Sequence, residues 1–159
     1  MFPGDFNYKK GNLHLNVNHE SENRKFRIST SVGYTIQNNN QPRLDLMREA
    51  VNISPNAPSL YNADGTINWE NNTFNNPLRN LEGKYKSITN DLIANTLLSY
   101  KLSDNLELKS SFGYTALDNS ENTANPSTRY NPAFGLGPQF STLIASGSDR
   151  KSWIIEPQL

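Results

Sequence analysis

The 159-residue chain contains no cysteine, so it has neither a disulfide framework nor a thiolate metal site. It carries no net charge, because 15 basic and 15 acidic residues cancel, and nothing in that balance attracts nucleic acid. No run of about 18 apolar residues occurs, which excludes a transmembrane helix. It does not exclude membrane-spanning strands, which carry apolar residues only at every second position. Hydrophobic residues make up 35% of the chain, little for a closed core, and asparagine is the commonest residue. Met1–Asp5 lacks the basic and apolar regions of a signal peptide, so an exported form is expected to have a longer precursor. The only histidines, His14 and His19, fall on opposite faces of one predicted strand and cannot share a metal ion. The turn at Asn62–Gly65 lacks the acidic ligands that a calcium loop needs at Leu60 and Asn71. The acidic pairs Asp45/Glu49 and Glu20/Glu22 read as solvated surface. No catalytic residue, metal or cofactor is expected.

What the chain does have is alternation. From Asn90 to Ala116 the even positions include Leu92, Ala94, Leu98, Tyr100, Leu102, Leu106, Leu108, Phe112 and Tyr114. Glu107, Lys109, Ser111 and Thr115 lie between them on the second arm. Period two is the mark of strands with one apolar and one wet face. A three-residue turn at Ser103–Asn105 sets Leu102 opposite Leu106 and Thr96 opposite Phe112, which puts both apolar sets on one face. Ile93 and Leu97 are out of pattern, on the wet side.

Residues 6–18 and 24–37 predict a second hairpin. Leu13, Leu15 and Val17 alternate on its first arm, and Phe26, Ile28, Val32, Tyr34 and Ile36 on its second. A turn at Glu20–Asn23 pairs His19 with Arg24 and Leu15 with Ile28. Long connections follow each hairpin, at 38–86 and 117–151, and a last strand starts at Ser152. A short helix is expected at Leu44–Val51, with Asp45 and Arg48 spaced for an ion pair. The predicted arms are roughly twice the usual 5–6 residues and match the 9–11 of a membrane strand. Tight turns alternating with long loops is the habit of transmembrane barrels.

The expected fold class is therefore all-β: an antiparallel segment of four to five long strands from a large transmembrane barrel, with long extracellular loops. Phe26, Ile28, Leu98 and Phe112 should face lipid, while Arg27, Ser29, Ser31, Thr35, Glu107, Lys109 and Ser111 should face a wet lumen. In the loops, Tyr61, Trp69, Phe74, Tyr130 and Phe134 are candidates to stack on a substrate ring, with Asn72, Asn75 and Asn131 bonding its polar groups.

Several stretches resemble the SusC/RagA family of TonB-dependent outer-membrane transporters of Bacteroidetes. They are FNYKKGNLHLNVN at Phe6–Asn18, ISPNAPSLYNADGTINWENNTFNNPL at Ile53–Leu78 and the LLSYKLSDNLELKSSFGYT hairpin. PSTRYNPAFGLG at Pro126–Gly137 and SWIIEPQL at Ser152–Leu159 complete the set, and together they cover nearly the whole chain. The resemblance implies that residues 1–159 are part of a barrel domain of about 22 strands in a Gram-negative outer membrane. It further implies an internal plug, energy delivered through TonB, and a SusD-like lipoprotein over the mouth. The expected cargo is an oligosaccharide or peptide. The plug, the TonB-contacting box and the closing strands are not among these residues. Two alternatives remain open: a secreted soluble β-module that binds glycans, and a TonB-dependent receptor for a siderophore or cobalamin.

Overall fold

The computed structural model describes residues 4–159. Its strands form one five-stranded antiparallel sheet in sequence order, a meander. The strands are β1 (Asn7–Glu20), β2 (Phe26–Pro42), β3 (Lys84–Ser103), β4 (Leu106–Asn125) and β5 (Thr142–Gln158). Asp104 and Asn105 separate β3 from β4, and a short turn joins β1 to β2. The other two connections run over residues 43–83 and 126–141.

Three features differ from the sequence expectation. The strands are longer: β4 runs to Asn125, β2 to Pro42, and β5 begins at Thr142. The polar runs NNNQP and LDNSENTAN are therefore strand, not loop. Second, the helix α1 spans Met47–Asn52. Asp45 Oδ1 accepts the Met47 amide at 2.9 Å, and no ion pair joins it to Arg48. The carboxylate thus serves the helix start, where backbone donors lack partners. Third, the β1–β2 turn closes on Ser21 and Phe26, whose Ser21 amide donates to the Phe26 carbonyl at 2.9 Å. Ser29 then bonds Asn18 and Thr35 bonds Asn12. His19 is accordingly not opposite Arg24, and the register is slid by an even step that keeps every side chain on its expected face.

The β3–β4 register follows from the Thr89 hydroxyl on Asn119 at 2.9 Å and from Asn95 Oδ1 lying across from Gly113. This is the even-to-even alignment the alternation demands. Between β2 and β3 the Thr30 and Thr96 hydroxyls meet at 3.1 Å, and between β4 and β5 Ser111 donates to Glu156 while Thr115 meets Ser152. These pairs sort the side chains. One face carries Asn12, Asn18, Ser29, Thr35, Thr89, Asn95, Ser111, Thr115, Asn119, Ser152 and Glu156, while the Thr30–Thr96 pair lies within the opposite face. That opposite face carries Leu13, Leu15 and Val17 of β1, Phe26, Ile28, Val32, Tyr34 and Ile36 of β2, and their counterparts on β3, β4 and β5.

The described residues divide into two compact units, and all strands contribute to both. One holds 4–8, Asn39–Ser87 and Glu121–Ser146, which contain both long loops. The other holds Lys9–Asn38, Ile88–Ser120 and Gly147–Leu159, which contain both tight turns and the whole apolar band. On β3 that band runs from Leu92 to Leu102, about 33 Å of strand. At a tilt near 40° it is about 25 Å high, the height of the apolar belt of a membrane barrel. Asn90, Asp118, Asp149 and Lys151 bound it on one side.

Among the described residues no second sheet covers this band. Leu78, in the loop-bearing unit, is the one buried hydrophobic residue among those described. Phe26, Leu108, Phe112 and Trp153 are exposed, and Ile28 and Leu98 are half-buried.

Candidate functional site

The loop-bearing unit is held by polar groups. Asn76 is fully buried. Its amide nitrogen donates to the carbonyls of Leu60 at 2.7 Å and Asn68 at 2.9 Å, and its Oδ1 accepts the Leu78 amide at 2.9 Å. Three loop strands separated in sequence are thereby pinned by one side chain. The Asn68 side chain adds a bond to the Ser59 carbonyl at 2.7 Å. Between them Glu70, Asn71 and Asn72 all have positive φ, a left-handed turn that suits asparagine better than most residues. It reverses the chain so that the Trp69 carbonyl receives the amides of Asn72 and Phe74.

Tyr61 pairs with Ile67 as a miniature hairpin around Asn62–Thr66. Gly65 takes φ 82°, and Asp64 accepts both the amide and the hydroxyl of Thr66, at 2.9 and 2.6 Å. Those two bonds, the hydroxyl's first, hold the Asp64 carboxyl below its ordinary value of 3.8. A lowered carboxyl stabilises the folded turn above that pH and ceases to do so as pH falls through its own pKa. Acidification below pH 3.8 is therefore expected to loosen the turn, read as a shift of the Thr66 amide resonance, and Asp64→Asn should abolish the acid transition.

Tyr61 and Trp69 line one cleft of about 740 Å³, together with Thr66, Glu82, Lys84 and Thr128. Its rim is tied by the Thr128 hydroxyl, which donates to Glu82 at 2.9 Å. The other candidates are dispersed. Phe74 and Asn75 line a separate cleft with Ile53 and Pro58. Asn72 serves the left-handed turn. Tyr130 lies under the Arg129 guanidinium, 5.6 Å from its ring centre. Asn131 is buried and accepts the Ala133 amide, while Phe134 is exposed. Sequence reasoning missed Glu82, Lys84 and Thr128. The signal for the first two was their place either side of Gly83, where loop becomes strand.

The strand-rich unit has its own groove, of about 470 Å³, on the polar face at the tight-turn end. Arg27 pairs with Glu20 at 3.1 Å and Lys109 with Glu107 at 3.0 Å along it. Arg27, Ser29, Glu107 and Lys109, expected on one wet face, do share it, and Leu97 lies among them. A hydrated face of this kind tolerates charge of both signs.

No protein-family model matches the sequence, and no curated protein matches it.

Proposed function

We propose that the chain is a wall segment of a TonB-dependent outer-membrane importer of the SusC/RagA type. The observation that carries this reading is the uncovered apolar band, backed by a wet face on the same strands. A soluble sandwich buries such a band against a second sheet, and the described residues contain one sheet only. Lipid is the solvent that suits a band of this height, and closed pairing with further strands would satisfy the edge backbone groups. The loop-bearing unit, with its aromatic cleft, supplies residues for capture of an oligosaccharide or peptide at the outer mouth, beneath a SusD-like lipoprotein. Plug movement and the TonB contact belong to other parts of such a transporter, so the contribution of these residues is lining and capture.

Two tryptophans make the reading testable. Trp153 follows Ser152, which bonds on the polar face, so it projects from the apolar face and is 75% exposed. Trp69 sits in the loop cleft. In vesicles of acyl-chain-brominated phospholipid, Trp153 emission should be quenched in the Trp69→Phe protein, and Trp69 emission should survive in the Trp153→Phe protein. Trp153 quenched by aqueous iodide but untouched by bromine would overturn the membrane reading.

A further inference from the structure

We propose that Arg43 and Arg129 form an oxyanion-binding site at the loop end of the sheet, which takes the carboxylate or sulfate of an acidic saccharide. The inference rests on the capture reading above and names the class of cargo.

Arg43 lies just past the end of β2 and Arg129 follows β4. Both converge on one neutral atom. The Nη1 of each donates to the Asn125 side-chain oxygen at 3.0 Å, so the two nitrogens are at most twice that distance apart. Among the described residues, no carboxylate lies within 4.0 Å of either guanidinium. Asp45, two residues from Arg43 in sequence, accepts the Met47 amide, and Glu82 is engaged by the Thr128 hydroxyl. Two like charges gathered on a single amide oxygen repel each other, and among the described residues neither makes an ion pair. Each guanidinium has five donors, and the bonds found here use one of each fork. The unused donors suit a planar or tetrahedral oxyanion, which the guanidinium fork recognises better than any neutral group.

The arrangement is held in place rather than free. Asn125 is itself buried and donates onward to the Thr142 hydroxyl at 3.3 Å. A Cβ at Gly83 would meet both Arg43 Cβ and Asn125 Oδ1 at 3.3 Å, so the close backbone there leaves room for this geometry. Arg129 is further braced over the Tyr130 ring. Gly83 and Arg129 directly follow Glu82 and Thr128, the two residues that tie the rim of the aromatic cleft. A saccharide in that cleft would therefore have Arg129 one residue beyond one rim segment, and on the other Gly83, against which Arg43 packs.

The test is calorimetric titration of the vesicle-reconstituted chain with digalacturonate, with its neutral counterpart digalactose, and with sodium sulfate. Digalacturonate should bind about ten- to a hundredfold tighter than digalactose, the range of charge-assisted bonds to arginine. Arg43→Gln and Arg129→Gln should each remove most of that preference, while Arg43→Lys retains part of it. Binding of sulfate in competition with digalacturonate assigns the contact to the oxyanion itself. Equal affinity for the acidic and neutral sugars, or a preference that survives both substitutions, would overturn the proposal. So would sulfate binding without any saccharide binding, which would mark an inorganic anion site. Hydrogen exchange of β4 amides in the same samples shows whether a variant has lost its strands, and Trp153 quenching reports the membrane reading separately.

Discussion

Arginine at Leu98 is expected to weaken insertion into phospholipid vesicles by about 2–4 kcal/mol, whereas arginine at Leu97 should change it by about 0.5 kcal/mol or less. The two positions are adjacent leucines on β3 and differ only in the side from which they project. Leu98 falls in the row of the apolar band between Leu92 and Leu102, where, on the importer reading, lipid would leave a guanidinium neither water nor partner. Leu97 lines the polar groove beside Glu107, where a cation gains a carboxylate and keeps its hydration. Urea titration of the vesicle-inserted chain measures both. Equal penalties at the two positions would mean that the sheet has no lipid side, and the importer reading would go with it. The contrast is more informative than either value, because residue type, strand and size of change are held constant.

Replacing Asn76 by alanine is expected to cost the loop about 2–4 kcal/mol. The substitution deletes two donors and one acceptor at a site without access to water, and it strands the Leu60 and Asn68 carbonyls that had been paired. The loss should stay local. The amides of Asn68 and Leu78 should exchange with solvent faster by a factor on the order of a hundred, with the central β3 and β4 amides unchanged. Uniform acceleration through the strands would show that Asn76 supports the sheet rather than the loop. Because the cleft around Tyr61 and Trp69 is built on this loop, ligand affinity should fall in the same variant without any contact having been touched.

The central rows of the sheet were legible because a strand with one apolar face leaves a period-two trace. Phe26 to Ile36 and Leu98 to Tyr114 show it plainly. The trace disappears at Asn38–Pro42 and Leu117–Asn125, where both faces are wet, and those strand ends were read as loop for that reason. The β1–β2 register was misread for a related reason. A slide by an even number of residues preserves every apolar side, so hydrophobic pattern alone cannot choose between turns at Glu20–Asn23 and Glu22–Lys25. The Ser21 hydroxyl, bonded to the Phe26 amide at 3.0 Å, makes the choice locally. In the loops, aromatic content pointed to Tyr61 and Trp69 but equally to Phe74 and Phe134. Which of them meet depends on Asn76, whose role as a pin has no periodic or compositional signature.

The meander has a directional consequence. Five alternating arrows start and finish with the same heading, so the two rims, β1 and β5, point the same way. A ring built from identical copies joined rim to rim would bring co-directional neighbours together at every seam. Joining like rims across a dyad would restore opposed headings only by standing every second copy on its head. An unbroken up-and-down cylinder that included this sheet would therefore ask for an odd complement of foreign strands, and the sheet is poorly suited to closing with its own kind.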